Sequence, residues 1–183
     1  MAWFGGKSTH KKEFDAAYKV LRNLFEKTIY GGMDAPLVLR FKRPDSRFRY
    51  FVFCLSTVQV ACERRMKNPD AVVKDLLHTI LTEALKTNPQ LFWGGPVDPQ
   101  VAAAEATGDL DAFLTGWTAY MRFRDRGTAD SGTAATLLLC SILSTIETDT
   151  DPADDDTERL WPLAVWIEQR LADMDEAFAS MAR

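Results

Sequence analysis

Residues 46–66, SRFRYFVFCLSTVQVACERRM, decide the fold class of this 183-residue chain. Apolar residues of this stretch recur on one face of a helix, which predicts an α-helix from about residue 46 to residue 66: Phe48, Phe51, Leu55, Val58 and Cys62. An alternative stays open, because LVLRFK and RFRYFVF also alternate like two strands around the turn-prone residues 43–46. The stretch predicts either a helix or a small β-hairpin near 37–53.

Two uncharged runs predict buried core elements. The first extends from Tyr50 to Cys62 over 13 residues, and the second from Ser131 to Ile146 over 16 residues. Both are shorter than the roughly 18 mostly apolar residues that a membrane span requires. We predict a central helix at 131–148, because this stretch is too evenly apolar to lie at the surface; its apolar members include Leu137, Leu138, Cys140, Ile142 and Leu143.

Helical periodicity covers most of the remaining chain. It predicts amphipathic helices at 10–29 and 69–87, a short helix at 99–107 that ends at Gly108, and a following helix that Asp109 caps. The segment LFWGGPVDP, residues 91–99, is predicted to be a loop. The fold class is therefore all-α, with about six helices in a compact bundle. We predict a flexible segment at 1–9 and a single helical domain at 10–183.

Three pairs of residues predict helix starts, because each offers a capping side chain followed by a proline at the first helical position. These pairs are Asn68-Pro69, Asp98-Pro99 and Asp151-Pro152.

The C-terminal stretch predicts a packing helix with an apolar stripe: Ala164, Ile167, Leu171, Met174, Phe178 and Met181. An intermolecular coiled coil that makes a homo-oligomer is the alternative, although the stripe covers fewer than three heptads. Pro162 removes a main-chain donor, so we expect it to kink this helix or to mark the helix start.

Charge is distributed unevenly along the chain. Residues 1–92 carry 16 lysines and arginines against 9 acidic residues, whereas residues 93–183 carry 6 against 17. Such an asymmetry is typical of a charged partner surface, of two halves that attract each other, or simply of solvated faces.

The basic, aromatic segment 40–51 is the strongest candidate for binding. Its cations are Arg40, Lys42, Arg43, Arg47 and Arg49. In a hairpin, four of them would share one face, and such like charges would need an anion, a nucleic-acid backbone or carboxylates for stabilisation. In a helix, Arg43 and Arg47 would share a face and the patch would disperse.

An acidic run predicts a docking surface near the C-terminal helix, formed by Asp154, Asp155, Asp156 and Glu158. The preferred alternative to a docking surface is that these carboxylates complement the positive end of a helix that Asp151 caps, and a metal site of a type other than the EF-hand is a further alternative. A calcium loop of the EF-hand type is not predicted, because the sixth and twelfth positions counted from Asp149 are Asp154 and Leu160 rather than glycine and glutamate.

Catalytic, cofactor and metal sites are not predicted. Gly6-Lys7-Ser8 resembles the end of a phosphate-binding loop, but the first glycine of that motif would fall on Met1, with no room for the preceding strand. His78 is expected to be exposed, and Cys54, Cys62 and Cys140 lie in apolar surroundings typical of inert buried thiols. No paired cysteine spacing or HExxH motif indicates zinc.

These observations predict a non-enzymatic cytoplasmic protein of the adaptor, chaperone or inhibitor type, which docks a protein partner through a charged surface. The cytoplasm is expected because the N-terminal residues lack the apolar segment of a secretory signal and the cysteine count is odd. The alternative is an anion or nucleic-acid binder that uses residues 40–51, which the acidic isoelectric point of about 5.2 disfavours. An enzyme acting through carboxylate pairs is a third hypothesis.

Overall fold

The computed structural model describes residues 5–30, 41, 43–146 and 156–181, and every regular element in these ranges is an α-helix. Six helices have 18 or more residues and one has five. In chain order they are α1 (Gly5–Tyr30), α2 (Pro44–Arg65), α3 (Pro69–Thr87), α4 (Pro89–Trp93), α5 (Pro99–Arg124), α6 (Ala129–Ile146) and α7 (Asp156–Met181). The all-α prediction is confirmed for the described residues.

Helix α2 lies at the centre of the fold, where it contacts each of the other six helices. All nine side chains from Tyr50 to Val58 are buried, so this helix is covered on every side. The predicted helix at 46–66 is confirmed. The hairpin near 37–53 is wrong, because residues 44–53 form the start of α2; residues 37–40 lie outside the described ranges. A helix satisfies its main-chain donors internally, which suits a segment surrounded by apolar neighbours.

Two buried hydroxyls of α2 are satisfied by the helix itself. Ser56 Oγ and Thr57 Oγ1 both donate to the carbonyl of Phe53, at 2.7 and 3.1 Å. Ser56 Oγ in turn accepts a hydrogen bond of 3.1 Å from the indole Nε1 of Trp117, which is fully buried on α5. This contact is a specific polar link between α2 and α5 inside the core.

Proline begins four of the helices: Pro44, Pro69, Pro89 and Pro99. The predicted cap at Asp98 is confirmed, since its side chain accepts from the main-chain N–H of Gln100 at 2.7 Å. Asn68 precedes α3 as predicted but makes no capping hydrogen bond with its side chain. The pair Asp151-Pro152 lies outside the described residues.

Helix α5 is continuous through Gly108, so the predicted break there and the cap at Asp109 are wrong. A glycine inside a helix costs only about 1 kcal/mol. Burial of an apolar face on both sides of the glycine outweighs this cost: Ala102, Ala106, Leu110, Phe113 and Trp117 are all buried.

Helix α6 buries only one of its faces and does not lie at the centre of the fold. Leu137 is 44% exposed, while Ala135, Leu139, Leu143 and Ile146 are buried. The helix packs mainly against α5 and α7. The prediction of a central helix at 131–148 is therefore wrong, and α2 has that place; residues 147 and 148 lie outside the described ranges.

Helix α7 contains Pro162 in its interior, so the expectation that this proline marks the helix start is wrong, whereas the expected kink stays a prediction. Its apolar stripe is buried against other helices of the same chain: Ala164, Ile167, Leu171, Met174 and Phe178. The packing interpretation is confirmed for these five residues, and the same stripe is not available for an intermolecular coiled coil.

Helix α1 begins at Gly5, five residues before the predicted start, so residues 5–9 are helical rather than a link. Gly6, Lys7 and Ser8 thus lie in a helix and not in a phosphate-binding loop. None of the described helices has a segment long and apolar enough to cross a membrane.

Candidate functional site

The three predicted cations that the structure describes, Arg43, Arg47 and Arg49, do not form one free basic patch. Arg40 and Lys42 lie outside the described residues. Arg43 precedes α2 and pairs with Asp45 in its first turn, through Nε and Nη2 at 3.1 and 2.9 Å from the two carboxylate oxygens. Arg47 keeps its Nε buried without a hydrogen bond to any described residue. The dispersal expected for a helical segment is what the described cations show.

Arg49 is bound inside the fold. Its Nε donates to both carboxylate oxygens of Asp109 on α5, at 3.1 and 3.2 Å, and its Nη1 donates to the carbonyl of Thr145 on α6, at 3.1 Å. One guanidinium therefore joins three helices. Such an arginine contributes to stability and is not free to neutralise an external phosphate.

A cleft of about 310 Å³ opens beside this ion pair, between the start of α2, the end of α4 and the first half of α5. We call it the α2–α4–α5 cleft, and it is lined by Asp45, Phe48, Arg49, Trp93, Glu105, Gly108 and Asp109. Three carboxylates face one guanidinium in this lining, so the cleft has an excess of negative charge.

Aromatic rings form the apolar part of the cleft. The ring centroids of Phe48 and Trp93 are 4.6 Å apart, and Phe92 packs edge-on against Phe48 at 5.8 Å. Phe48 and Phe92 are buried, whereas Trp93 is half-buried and contributes to the surface of the cleft. Gly94 ends α4 in the left-handed conformation, with φ of 73°, which stops the helix directly after the tryptophan.

Glu105 differs from the other two acids of the cleft. Its side chain is exposed, and it forms no hydrogen bond or ion pair with another residue in the described ranges. Asp45 and Asp109 are already paired with Arg43 and Arg49. Glu105 is therefore the carboxylate of the cleft that is best placed to meet a cation from outside.

Local sequence patterns do not reveal most of this site. They predict a loop at Trp93, whereas this residue ends α4. They also place Glu105 and Asp109 on two separate helices, whereas both lie on α5. Pro89 at the first position of α4 is the one local signal that could have indicated the short helix.

The predicted acidic docking surface is described only at its end. Asp154 and Asp155 lie outside the described residues, Asp156 is the first residue of α7, and Glu158 is exposed on it. The described partners of the cations are Asp45 and Asp109 rather than this acidic run. Its role as a docking surface stays a prediction.

The histidines lie near each other at the surface between α1 and α3. His10 Nε2 is 2.9 Å from Asp75 Oδ2, and His78 is exposed, as predicted. Among the described residues, no three side chains of the metal-ligating types are grouped so that they could hold an ion.

The three cysteines are buried and reduced, as the sequence indicates. Burial raises the pKa of the Cys62 thiol to about 12 and that of Cys140 to about 11, and it also raises the pKa of Cys54. Such thiols are protonated at neutral pH and are poor nucleophiles.

Comparison with known proteins does not identify a family: no family model matches the chain, and no curated protein or solved structure shows significant similarity to it.

Proposed function

We propose that this chain is a cytoplasmic protein-binding protein, and that the α2–α4–α5 cleft receives a lysine or arginine side chain of its partner. The observation that supports this proposal is the combination, in one cleft, of a half-buried tryptophan with the exposed carboxylate of Glu105, which has no partner among the described residues. A cationic side chain is attracted both by a carboxylate and by the face of an aromatic ring.

The cleft has the composition of an interface hot spot. Tryptophan and arginine are enriched among the residues that dominate binding energy, and here Trp93 and Arg49 line the same depression. Arg49 is already fixed by Asp109 and Thr145. A wall fixed in this way loses little conformational entropy when a partner binds.

Nucleic-acid binding by residues 40–51 has less support. A binder of phosphate groups needs cations that are available to release counterions. Arg43 and Arg49 are instead neutralised by Asp45 and Asp109. The adaptor, chaperone or inhibitor type remains our proposal for the class of protein.

The test is a quantitative pull-down from the native host, treated with nuclease and repeated with two cleft variants, Trp93→Ala and Glu105→Lys. The matched control is Asp111→Lys, which makes the same change of charge at an exposed position of α5 outside the cleft. We expect one protein partner to survive nuclease, to be retained by the control, and to be reduced at least about tenfold by each cleft variant.

Two results would overturn the proposal. One is a partner that both cleft variants retain at the level of the unaltered protein, because the cleft would then have no part in docking. The other is material that is lost on nuclease treatment and weakens steeply with salt, which would favour the nucleic-acid alternative.

A further inference from the structure

A second cavity, of about 330 Å³, lies between α1, α2, α3 and α4. It has an aromatic floor and a polar rim. The floor contains Phe25, Phe51 and Phe92, which are all buried. The centroids of Phe25 and Phe51 are 4.3 Å apart, and those of Phe51 and Phe92 are 6.4 Å apart, in stacked arrangements. The volume falls within the range of about 300 to 1,000 Å³ that is typical of small-molecule sites.

The rim of this cavity carries two carboxylates and one guanidinium. Arg22 donates from Nε to Glu26 at 3.1 Å and forms an ion pair with it on α1. Glu83 on α3 forms no close ion pair with any described residue, although the nearby Arg22 guanidinium is attracted to it. Its two carboxylate oxygens accept from the Tyr18 hydroxyl at 2.8 and 2.9 Å. The charge of the rim is therefore negative, and the excess is centred on Glu83.

Tyr18 holds the Glu83 carboxylate in place. Burial, followed by the hydrogen bond to Glu83, raises the pKa of the Tyr18 hydroxyl, so it remains a donor at neutral pH. A carboxylate oxygen can accept more than one hydrogen bond, so an oriented Glu83 retains capacity for a second donor.

We propose that this cavity binds a small primary amine with an aromatic body, such as an arylalkylamine, whose ammonium group meets Glu83 and whose ring packs on the phenylalanine floor. An ammonium group balances the one carboxylate that the rim has in excess of its single guanidinium, and it offers several donors to that carboxylate. The floor favours a flat apolar body, since aromatic pairs gain energy beyond their buried area.

A carboxylate ligand fits the cavity less well. It would need the guanidinium of Arg22, which Glu26 already neutralises, and it would be repelled by Glu83. A neutral ligand would contact the phenylalanine floor but would form no ion pair with Glu83. Ligands that are cationic, neutral or anionic should therefore differ in affinity.

This site is distinct from the proposed partner-binding cleft. Phe92 lines the cavity, whereas its neighbour Trp93 lines the cleft. The amine proposal consequently does not depend on the partner-binding proposal, and variants of Glu83 and Glu105 test the two separately.

The experiment is isothermal titration calorimetry of the full chain with 2-phenylethylamine, 2-phenylethanol and 3-phenylpropionate, which share one ring and differ in charge. We expect the amine to bind with a Kd of about 1 mM or tighter, as suits so small a ligand, and the other two to bind at least about fivefold more weakly.

The variant Glu83→Gln keeps the shape of the exposed side chain and removes its charge, and it should weaken binding of the amine at least about fivefold. The control Glu176→Gln makes the same change at an exposed position of α7 and should leave the Kd unchanged. The proposal is overturned if no amine binding is measurable, if 2-phenylethanol or 3-phenylpropionate binds as tightly as the amine, or if Glu83→Gln binds the amine like the unaltered protein.

Discussion

Arg49 on α2 and Asp109 on α5 form an ion pair in which one guanidinium nitrogen reaches both carboxylate oxygens, at 3.1 and 3.2 Å, across 60 positions of sequence. Both side chains are partly buried, and Arg49 also donates to the carbonyl of Thr145. The sequence analysis included Arg49 among the residues that could bind an external anion. In the fold, its anionic partner is instead the carboxylate of Asp109. The pair also forms one wall of the cleft for which we propose a partner.

The pair should contribute measurably to stability. Asp109→Ala leaves a partly buried guanidinium without its carboxylate, so we expect the free energy of unfolding to fall by about 1 to 2 kcal/mol. Arg49→Lys should not preserve the pair, because an ammonium group lacks the planar fork that reaches Asp109 and Thr145 together. Urea denaturation measures the free energy of unfolding of both variants.

The control for this prediction is Asp111→Ala, an exposed acid two residues further along α5, which should change stability by no more than about 0.5 kcal/mol. A double-mutant cycle on Arg49 and Asp109 isolates the pairwise energy. A coupling near zero would show that the two side chains do not stabilise each other in solution.

Two glycines should respond to alanine in opposite directions. At Gly108, inside α5, a Cβ atom would meet nothing within 4 Å, so Gly108→Ala should raise stability by about 0.5 to 1 kcal/mol through helix propensity. At Gly94, φ is 73° and the Cβ would lie 3.3 Å from Pro44 Cγ, so Gly94→Ala should lower stability by about 1 to 2 kcal/mol. Thermal or urea unfolding measures the stability of both variants. A change in stability of the same sign in the two variants would contradict the prediction.

The buried hydrogen bond between Trp117 and Ser56 should be costly to break from one side. Ser56→Ala leaves the indole N–H of Trp117 buried without an acceptor, so we expect a loss of about 1 to 3 kcal/mol. Thr57→Val is the matched comparison, because it removes a hydroxyl from the same helix without leaving any donor unpaired. Equal losses for the two variants would mean that the indole finds another partner.

Some parts of this fold could be predicted because local sequence determined them. The bounds of α3 follow from Pro69 and from an apolar stripe, and the buried face of α7 follows from its periodic spacing. The helical state of α2 was harder to predict, because Phe48 and Phe51 also fit an alternating strand. The choice between helix and strand is decided by the packing of α2 against the six other helices. These contacts join residues that are distant in the sequence, so a local pattern does not contain them.

The α2–α4–α5 cleft could not be predicted either, because it also depends on contacts between residues that are distant in the sequence. Arg49, Trp93 and Glu105 come from three helices, and no fixed spacing joins them. Gly108 favoured a break in α5, whereas burial of residues on both sides kept the helix continuous. With that break, Glu105 and Asp109 would belong to different elements, so the error at one glycine concealed the site.

Alkaline solution should destabilise the fold through its buried thiols. Burial raises the pKa of Cys140 to about 11 and that of Cys62 to about 12, whereas a cysteine in the unfolded chain titrates near 8.5. The unfolded state therefore loses these protons first. The stabilising contribution is fully present below about pH 8.5 and is lost as the pH rises from there towards the folded values.

The variant Cys140→Ala tests this prediction, because it removes one of the titrating thiols. Urea unfolding between about pH 8 and pH 10 should show a stability that falls with pH in both proteins, and the variant's slope should be shallower by up to about 1.4 kcal/mol per pH unit, the limit for one proton. Comparison of the two slopes cancels the contributions of tyrosines and lysines, which the proteins share. Identical slopes would contradict the prediction, because the Cys140 thiol would then ionise equally readily in the folded and unfolded chains.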